Sequence, residues 1–294
     1  MQRPTDEDFA IRLRLDIAYD GTDFHGWARQ AGDQRTVQGR LEQALGTAAR
    51  SPGQPPRPIA AGRTDAGVHA TGQVAHLDLT AGQAESLLRR VGADGVARRV
   101  NGVLGADGDL VVRASALAPA GFDARFSAIW RRYEYRIADA EAVLDPLQRR
   151  RTLVVPRRMD DAAIVDASAA LTGLHDFAAF CRPRPFATTI RTLQSLSWAR
   201  EDDGVLVARL QADAFCHGMV RSIVGACLAV STGRLRPDGP ARLLSDAVRS
   251  GEYPVAPARG LTLTEVGYPP DAELADRAEH TRALRVLATE LSSP

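Results

Sequence analysis

The decapeptide Ala-Gly-Arg-Thr-Asp-Ala-Gly-Val-His-Ala occupies residues 61–70 and combines opposite charges with glycines. Arg63 precedes Asp65 by two residues, so both charges fall on one short loop. The glycines at 62 and 67 permit tight turning and a close approach of backbone to a ligand. By residue type alone the loop has two interpretations: a site of carboxylate chemistry, or a polar turn stabilised by an aspartate side chain.

Strands are predicted on both sides of this loop. A short apolar stretch at residues 58–61 leads into it, and residues 74–79 follow as a further strand. Residues 37–48 have helical spacing, with Thr36 as the N-cap. Earlier still, a half-buried strand that ends at the Asp20-Gly21 turn is predicted by the period-two alternation of Phe9, Ile11, Leu13, Leu15, Ile17 and Tyr19.

The rest of the chain contains the same kinds of element without a visible sequence repeat. Helical turns near residues 87–104 are interrupted by Gly92 and Gly95. Later strands are predicted at 109–114, 133–137, 152–155, 193–198 and 205–212, the last after an Asp203-Gly204 hairpin turn. Later helices are predicted at 159–171, 219–231 and 271–291. This order predicts a mixed α/β or α+β fold with an N-terminal domain at 1–116, a second domain at 117–270 and a helical tail at 271–294.

The composition is that of an ordinary globular protein. The chain has 294 residues, 45% hydrophobic and 25% charged, which fits about two domains of roughly 150 residues. Its formal net charge is only +1, so any nucleic-acid site would have to concentrate positive charge locally. All 37 basic residues are arginines, whose planar guanidinium binds phosphate bidentately. Candidate clusters for phosphate contacts are Arg131 with Arg132, Arg149 to Arg151, Arg157 with Arg158, and Arg182 with Arg184.

The cysteines and the apolar segments of the sequence indicate in which cellular compartment the protein is found. Cys181, Cys216 and Cys227 are odd in number and widely spaced, which indicates neither a disulfide framework nor a thiolate zinc site and favours a reducing compartment. Residues 1–8 are polar and acidic, and no run of about 18 apolar residues occurs. The sequence therefore predicts a cytoplasmic protein without a membrane span.

Gly62-Arg-Thr-Asp-Ala-Gly-Val-His69 resembles the signature of the tRNA pseudouridine synthase A family, and an eight-residue match of this kind is highly specific. Other motifs of that family follow in its order over roughly residues 11–268. They are Tyr19-Asp-Gly, Gly26-Trp27, Thr36-Val-Gln, Phe122-Asp-Ala-Arg-Phe-Ser-Ala, Arg132-Tyr-Glu-Tyr135, Phe215-Cys-His-Gly-Met-Val-Arg-Ser-Ile-Val-Gly and Ala258-Arg-Gly-Leu.

The resemblance implies the pseudouridine synthase fold, in which two α/β domains with antiparallel sheets join around a central catalytic cleft. It implies a homodimer that binds tRNA and isomerises uridine to pseudouridine at positions 38, 39 and 40 of the anticodon stem-loop. It implies no cofactor and no metal. His69 and His76 agree with this, since their spacing matches no metal motif.

The resemblance also assigns roles to individual residues. Asp65 is the nucleophile, Arg63 the arginine that extrudes the target nucleotide, and Arg221 the arginine that pairs with the catalytic carboxylate. Tyr133 matches the tyrosine that stacks on the flipped base. Residue chemistry supports this, because carboxylates are ionised at neutral pH and extruded bases need an aromatic or apolar platform. Without the resemblance, Tyr133 is more typical of a strand core that it shares with Tyr135, and Arg221 of a protein surface.

Two other functions remain open from the sequence. The first is an RNA-binding relative that has lost catalysis, although the presence of all the matching site residues argues against it. The second is an enzyme that transfers a glycosyl group between small molecules and uses Asp65 on a sugar carbon. The lack of a second convincing acid–base carboxylate disfavours this second function.

Overall fold

The structure is a computed structural model that describes residues 9–50, 54–105, 108–185 and 187–282. Its strands are β1 Phe9–Tyr19, β2 Ile59–Ala60, β3 His69–Thr80, β4 Leu110–Leu117, β5 Trp130–Ala138, β6 Leu153–Val154, β7 Gly173–Asp176, β8 Ile190–Arg200, β9 Leu206–Ala212 and β10 Leu261–Gly267. Its helices are α1 Val37–Ala48, α2 Ala81–Leu88, α3 Val96–Leu104, α4 Asp161–Ser168, α5 Met219–Ser231, α6 Gly239–Asp246 and α7 Leu274–Arg282. The mixed α/β class predicted from the sequence is confirmed.

The described residues form two compact units. The first comprises residues 9–128 with Glu265–Arg282, and the second comprises residues 129–264. β10 begins in the second unit and ends in the first. The domain boundaries predicted at 116/117 and 270/271 stay a prediction, because packing alone does not show which segments fold independently.

In the first unit β1 is the central strand. It pairs antiparallel with β3 on one side and with β4 on the other. The short strand β2 pairs antiparallel with β3. The alternation predicted for β1 is confirmed, since Leu13, Leu15 and Ile17 are fully buried while the polar residues between them are partly exposed. The register places Tyr19, the last residue of β1, opposite Ala70 at the start of β3. The end of β1 therefore lies beside the Asp65 loop.

In the second unit β9 lies between β5 and β8. Both pairings are antiparallel. β7 pairs antiparallel with β8, and β6 pairs in parallel with β5. The hairpin predicted at Asp203-Gly204 is confirmed between β8 and β9: Gly204 has φ +77° and its N–H donates to the Glu201 carbonyl. α5 follows β9 and has the predicted buried stripe, with Leu228 only half buried.

Several element boundaries differ from the predictions. The strands predicted at 74–79 and 193–198 lie within the longer strands β3 and β8. The helix predicted from 159 begins at Asp161, because the Asp160 carboxylate caps it by accepting a hydrogen bond from the Ala163 N–H. Residues 1–8 and the predicted tail beyond 282 lie outside the described residues. Within the described ranges, no helix is both long and apolar enough to cross a bilayer.

The cysteine prediction is wrong for two of the three cysteines. Cys181 and Cys216 are joined in a disulfide, with Cα atoms 5.7 Å apart and a separation of 35 positions in sequence. The fold of the second unit brings these two cysteines together, and no pattern among their neighbours in sequence predicts the pairing. Cys227 keeps its thiol, and its burial in α5 raises the pKa of that thiol to about 12.

Candidate active site

The loop that carries Asp65 runs between β2 and β3 and is held by the backbone that follows β1. The Gly67 N–H donates to the Phe24 carbonyl (3.1 Å), and the Trp27 N–H donates to the Thr64 carbonyl (3.0 Å). These two bonds fix the chain on either side of Asp65. Because an aspartate side chain is short, the backbone position largely decides where its carboxylate can reach.

Two glycines allow this close packing of backbone on backbone. A Cβ at Gly21 would overlap the carbonyl of Val68. At Gly26 a Cβ would lie 2.9 Å from the Thr64 carbonyl oxygen, and this glycine also has φ +89°, a conformation that residues with side chains rarely adopt. Any side chain at either position would displace the Asp65 loop, which gives a physical reason for the glycines in the two motifs.

The charged side chains of the loop remain accessible. Arg63 is exposed and Asp65 is half buried, whereas Thr64 between them is buried. The structure thus places the predicted arginine and carboxylate on one backbone-fixed loop of the first unit. An anionic oxygen held at such a position can attack or stabilise an electron-poor carbon of a ligand that reaches the loop.

Ring nitrogens of the two histidines near this loop are occupied by the protein's own backbone. His69 Nδ1 accepts a hydrogen bond from the Gly21 N–H (3.1 Å), and His76 Nδ1 accepts one from the Ala124 N–H (3.0 Å). Burial, reinforced by the nearby positive charge of Arg12, lowers the pKa of His76, so His76 is neutral at pH 7. Over the described ranges, no group of three or more potential ligands is arranged to hold a metal ion.

Tyr133 lies on β5 in the second unit, opposite Leu210 of β9. Its ring packs against Phe215, with centroids 5.1 Å apart and planes at 85°. Tyr133 retains 8% exposure, whereas Tyr135 on the same face has none. Tyr133 therefore belongs to the buried face of the strand, as its sequence pattern suggested, and lies at the less buried end of that face.

Arg221 lies in the first turn of α5, three residues after Gly218, whose φ of +80° turns the chain into the helix. Its Nε donates to the Ala256 carbonyl (2.7 Å), and the Ala256 N–H donates to the Arg221 carbonyl (3.0 Å). The positive charge of Arg221 also acts on Tyr135. Burial raises the pKa of the Tyr135 phenol, and the charges of Arg221 and Arg259 partly oppose that rise. Arg221 is thus half buried and anchored by backbone, unlike an ordinary surface arginine.

The loop before α5 is braced by the segment around Cys181. Besides the disulfide to Cys216, the Arg182 N–H donates to the His217 carbonyl (2.8 Å), and Arg184 Nη2 lies 3.2 Å from His217 Nδ1. The exposed side chains of Arg182 and Arg184 consequently lie beside the loop that leads to Arg221.

The side chains of the other arginine clusters differ in their exposure to solvent. Arg131 is buried and donates to the Asp213 carbonyl (2.6 Å), so the expectation that it contacts phosphate is not supported. Arg132 lies over the ring of Trp130 (4.7 Å to the centroid) and donates to Gln211 (2.7 Å). Exposed members of the clusters are Arg149, Arg150, Arg157, Arg158, Arg182 and Arg184.

Some residues that shape the site received no role in the sequence analysis. Tyr19 and Phe215 stood in recognised motifs, so motif membership was the available signal. Ala256 gave none, because it acts through its backbone carbonyl, which every residue type possesses. Gln73, which contacts the Asp65 loop from β3, also lay outside the motifs.

Comparison with protein families identifies a known class of enzyme. A family model described as tRNA pseudouridine synthase matches residues 167–269. The mixed α/β architecture, with its mostly antiparallel strand pairing, is consistent with the pseudouridine synthase fold. The chain is therefore an isomerase of the pseudouridine synthase class.

Similarity to curated proteins extends over nearly the whole chain. It is 58% identical to a tRNA pseudouridine synthase A of Leifsonia xyli subsp. xyli, over 95% of this chain and 99% of that protein. It is 56% identical to the one of Frankia casuarinae, over 96% and 98% of the two chains. The identity to the one of Mycobacterium leprae is 50%, over 97% and 99%. The chain belongs to the tRNA pseudouridine synthase A family.

Proposed function

We propose that this chain isomerises uridine to pseudouridine at positions 38, 39 and 40 of the tRNA anticodon stem-loop, with Asp65 as the nucleophile. Family membership supports the reaction. The observation that carries the role of Asp65 is its setting: a half-buried aspartate on a loop whose backbone is hydrogen-bonded on both sides of it.

The reaction is an isomerisation without redox change. The bond from the ribose C1′ to N1 of the base breaks, the base turns, and C1′ forms a bond to C5. The hydrogen on C5 is released as a proton, and N1 gains one from solvent. Because electrons and atoms balance within the nucleotide, the proposed function includes no cofactor and no metal.

Three further side chains have proposed roles. Arg63, which is exposed on the Asp65 loop, extrudes the target nucleotide, since a base cannot react inside its helix. Tyr133 provides a surface on which the extruded base stacks. Arg221 is the cation that pairs with the catalytic carboxylate, and its Nε bond to Ala256 orients the guanidinium.

The proposal includes a cytoplasmic homodimer that binds tRNA. Contacts to tRNA come from exposed arginines, in particular Arg182 and Arg184 beside the loop before α5. Guanidinium groups suit this role because they bind phosphate bidentately and stack on bases.

Tritium release from tRNA labelled at C5 of uridine tests the reaction. We expect stoichiometric release from substrates with uridine at 38, 39 or 40, and no release when these positions carry cytidine. Tight binding of tRNA without release would instead indicate an RNA-binding relative that has lost catalysis. Activity on a free nucleoside but not on tRNA would indicate the glycosyl-transferring alternative.

A further inference from the structure

A row of buried polar side chains lies directly behind the Asp65 loop. The hydroxyls of Tyr19 and Thr64 are hydrogen-bonded at 2.8 Å. Gln73 Nε2 donates to the Gly62 carbonyl (2.8 Å) and to the Tyr19 hydroxyl (3.4 Å). Tyr19 is 5% exposed, Thr64 7% and Gln73 not at all, so these bonds form away from bulk water.

The phenol of Tyr19 joins the two ends of the row. Its oxygen accepts a hydrogen bond from Gln73, and in its bond with Thr64 either hydroxyl can be the donor. Burial raises the pKa of Tyr19 to about 12, even though its hydrogen bonds with Thr64 and Gln73 lower it. The phenol therefore keeps its proton throughout the neutral range, so its hydrogen bond with Thr64 is between two neutral hydroxyls.

Both ends of the row touch the reactive loop. Thr64 immediately precedes Asp65, and Gly62 lies three residues before it, so the contacts from β1 and β3 hold the segment that leads to the carboxylate. A phenylalanine at 19 would fill nearly the same volume and leave no phenol to desolvate. The Tyr19 hydroxyl therefore serves mainly to fix the position of the loop through its hydrogen bonds, and it adds little to the buried volume.

Resting on the proposed function, we infer that Tyr19 and Gln73 are positioning residues for Asp65, acting through the Thr64 hydroxyl and the Gly62 carbonyl. Neither touches the substrate. A displacement of about 1 Å at a reacting group can cost on the order of a hundredfold in rate, whereas tRNA affinity comes from other contacts. The positioning role therefore predicts a loss of turnover without a loss of binding.

The test measures single-turnover pseudouridine formation with saturating enzyme, the tRNA dissociation constant, and the melting temperature. Tyr19→Phe and Thr64→Val should each slow the reaction at least tenfold, with the dissociation constant within threefold of wild type. Thr64→Ser, which keeps the hydroxyl, should restore the rate to within threefold. The matched control is Tyr268→Phe, which removes another phenol of the same unit that donates to the Ala124 carbonyl (2.7 Å). It should leave the rate within twofold.

The double variant Tyr19→Phe/Thr64→Val separates coupling from general damage. If Tyr19 acts through Thr64, the double variant should be no slower than the slower single variant. Three results would each overturn the inference and leave the proposed function in place. In the first, the rate losses of the two single variants multiply in the double variant. In the others, Tyr268→Phe slows the reaction as much as Tyr19→Phe does, or the single variants react at the wild-type rate. A wild-type protein that forms no pseudouridine would overturn both.

Discussion

The ring of Phe215 meets the ring of Tyr133 almost at a right angle, with centroids 5.1 Å apart. Such an edge-to-face contact fixes the plane of both rings and contributes about 1 kcal/mol beyond burial. Phe215 lies in the loop between β9 and α5, and Tyr133 lies on β5. The orientation of the proposed stacking residue therefore depends on the loop that also leads to Arg221.

Tyr133→Phe should impair turnover less than Tyr133→Ala. Phenylalanine keeps the aromatic face and the contact with Phe215, whereas alanine loses a base stack of roughly 1 to 3 kcal/mol. Single-turnover rates should be measured well below each variant's melting temperature, because alanine also leaves a cavity. Equal damage by both substitutions would show that the hydroxyl is the important group and that the stacking assignment is wrong.

Asp139→Asn should destabilise the protein by about 3 kcal/mol, because it breaks a buried ion pair. Arg200 binds both carboxylate oxygens of Asp139 (2.8 and 3.0 Å), and the Asp139 side chain has no exposure. Burial opposes ionisation, but hydrogen bonds from Arg200 and from the N–H groups of Met159 and Glu141 outweigh it and lower the pKa of Asp139 to about 2. The matched control is Asp238→Asn, whose pair with Arg236 is exposed and should contribute less than about 1 kcal/mol.

The same pair predicts the sign of a pH effect on stability. A carboxyl with a depressed folded-state pKa stabilises the fold above its unfolded value, 3.8, and this contribution is lost as pH falls from there towards 2. Urea unfolding of wild type and Asp139→Asn at pH 7 and pH 3 should give a smaller difference at pH 3. A difference that grew at pH 3 would contradict the ionised pair.

Binding of tRNA should depend strongly on salt despite the net charge of +1. Each phosphate neutralised by an arginine releases roughly 0.7 to 0.9 counterion, so the logarithm of the binding constant should fall with the logarithm of salt concentration. Arg182→Gln/Arg184→Gln should reduce that slope. Arg234→Gln/Arg236→Gln, which removes the same charge from another exposed turn, should not. A slope near zero for wild type would refute phosphate contacts as the main source of affinity.

The sequence predicted local structure better than it predicted the supports of the site. Period-two alternation identified β1 and the Asp-Gly pair identified the β8–β9 hairpin, because each signal is contained in neighbouring residues. The short strand β7 and the disulfide between Cys181 and Cys216 depend on chain segments far apart in sequence. Likewise, Asp65 and Arg221 could be found by their motifs, whereas the Ala256 carbonyl and the Tyr19–Thr64 bond follow only from the fold.

Asp65→Asn is the sharpest test of the catalytic proposal, because it keeps the shape of the side chain and removes its negative charge and nucleophilic oxygen. The loop is held by backbone bonds with Phe24 and Trp27 and by side-chain bonds from Tyr19 and Gln73, all of which asparagine at 65 leaves in place, so folding should be nearly unchanged. Affinity for tRNA should stay within about tenfold, since it comes mainly from phosphate contacts and base stacking elsewhere.

Turnover of Asp65→Asn should fall at least about a thousandfold, or roughly 4 kcal/mol of barrier, when measured as single-turnover tritium release with saturating enzyme. If Asp65 were only a turn residue, asparagine, itself a good turn former, would leave activity almost intact. The two interpretations therefore differ by several orders of magnitude in one assay. Residual activity within tenfold of wild type would remove Asp65 from the mechanism, and the proposed roles of Arg63 and Arg221 with it.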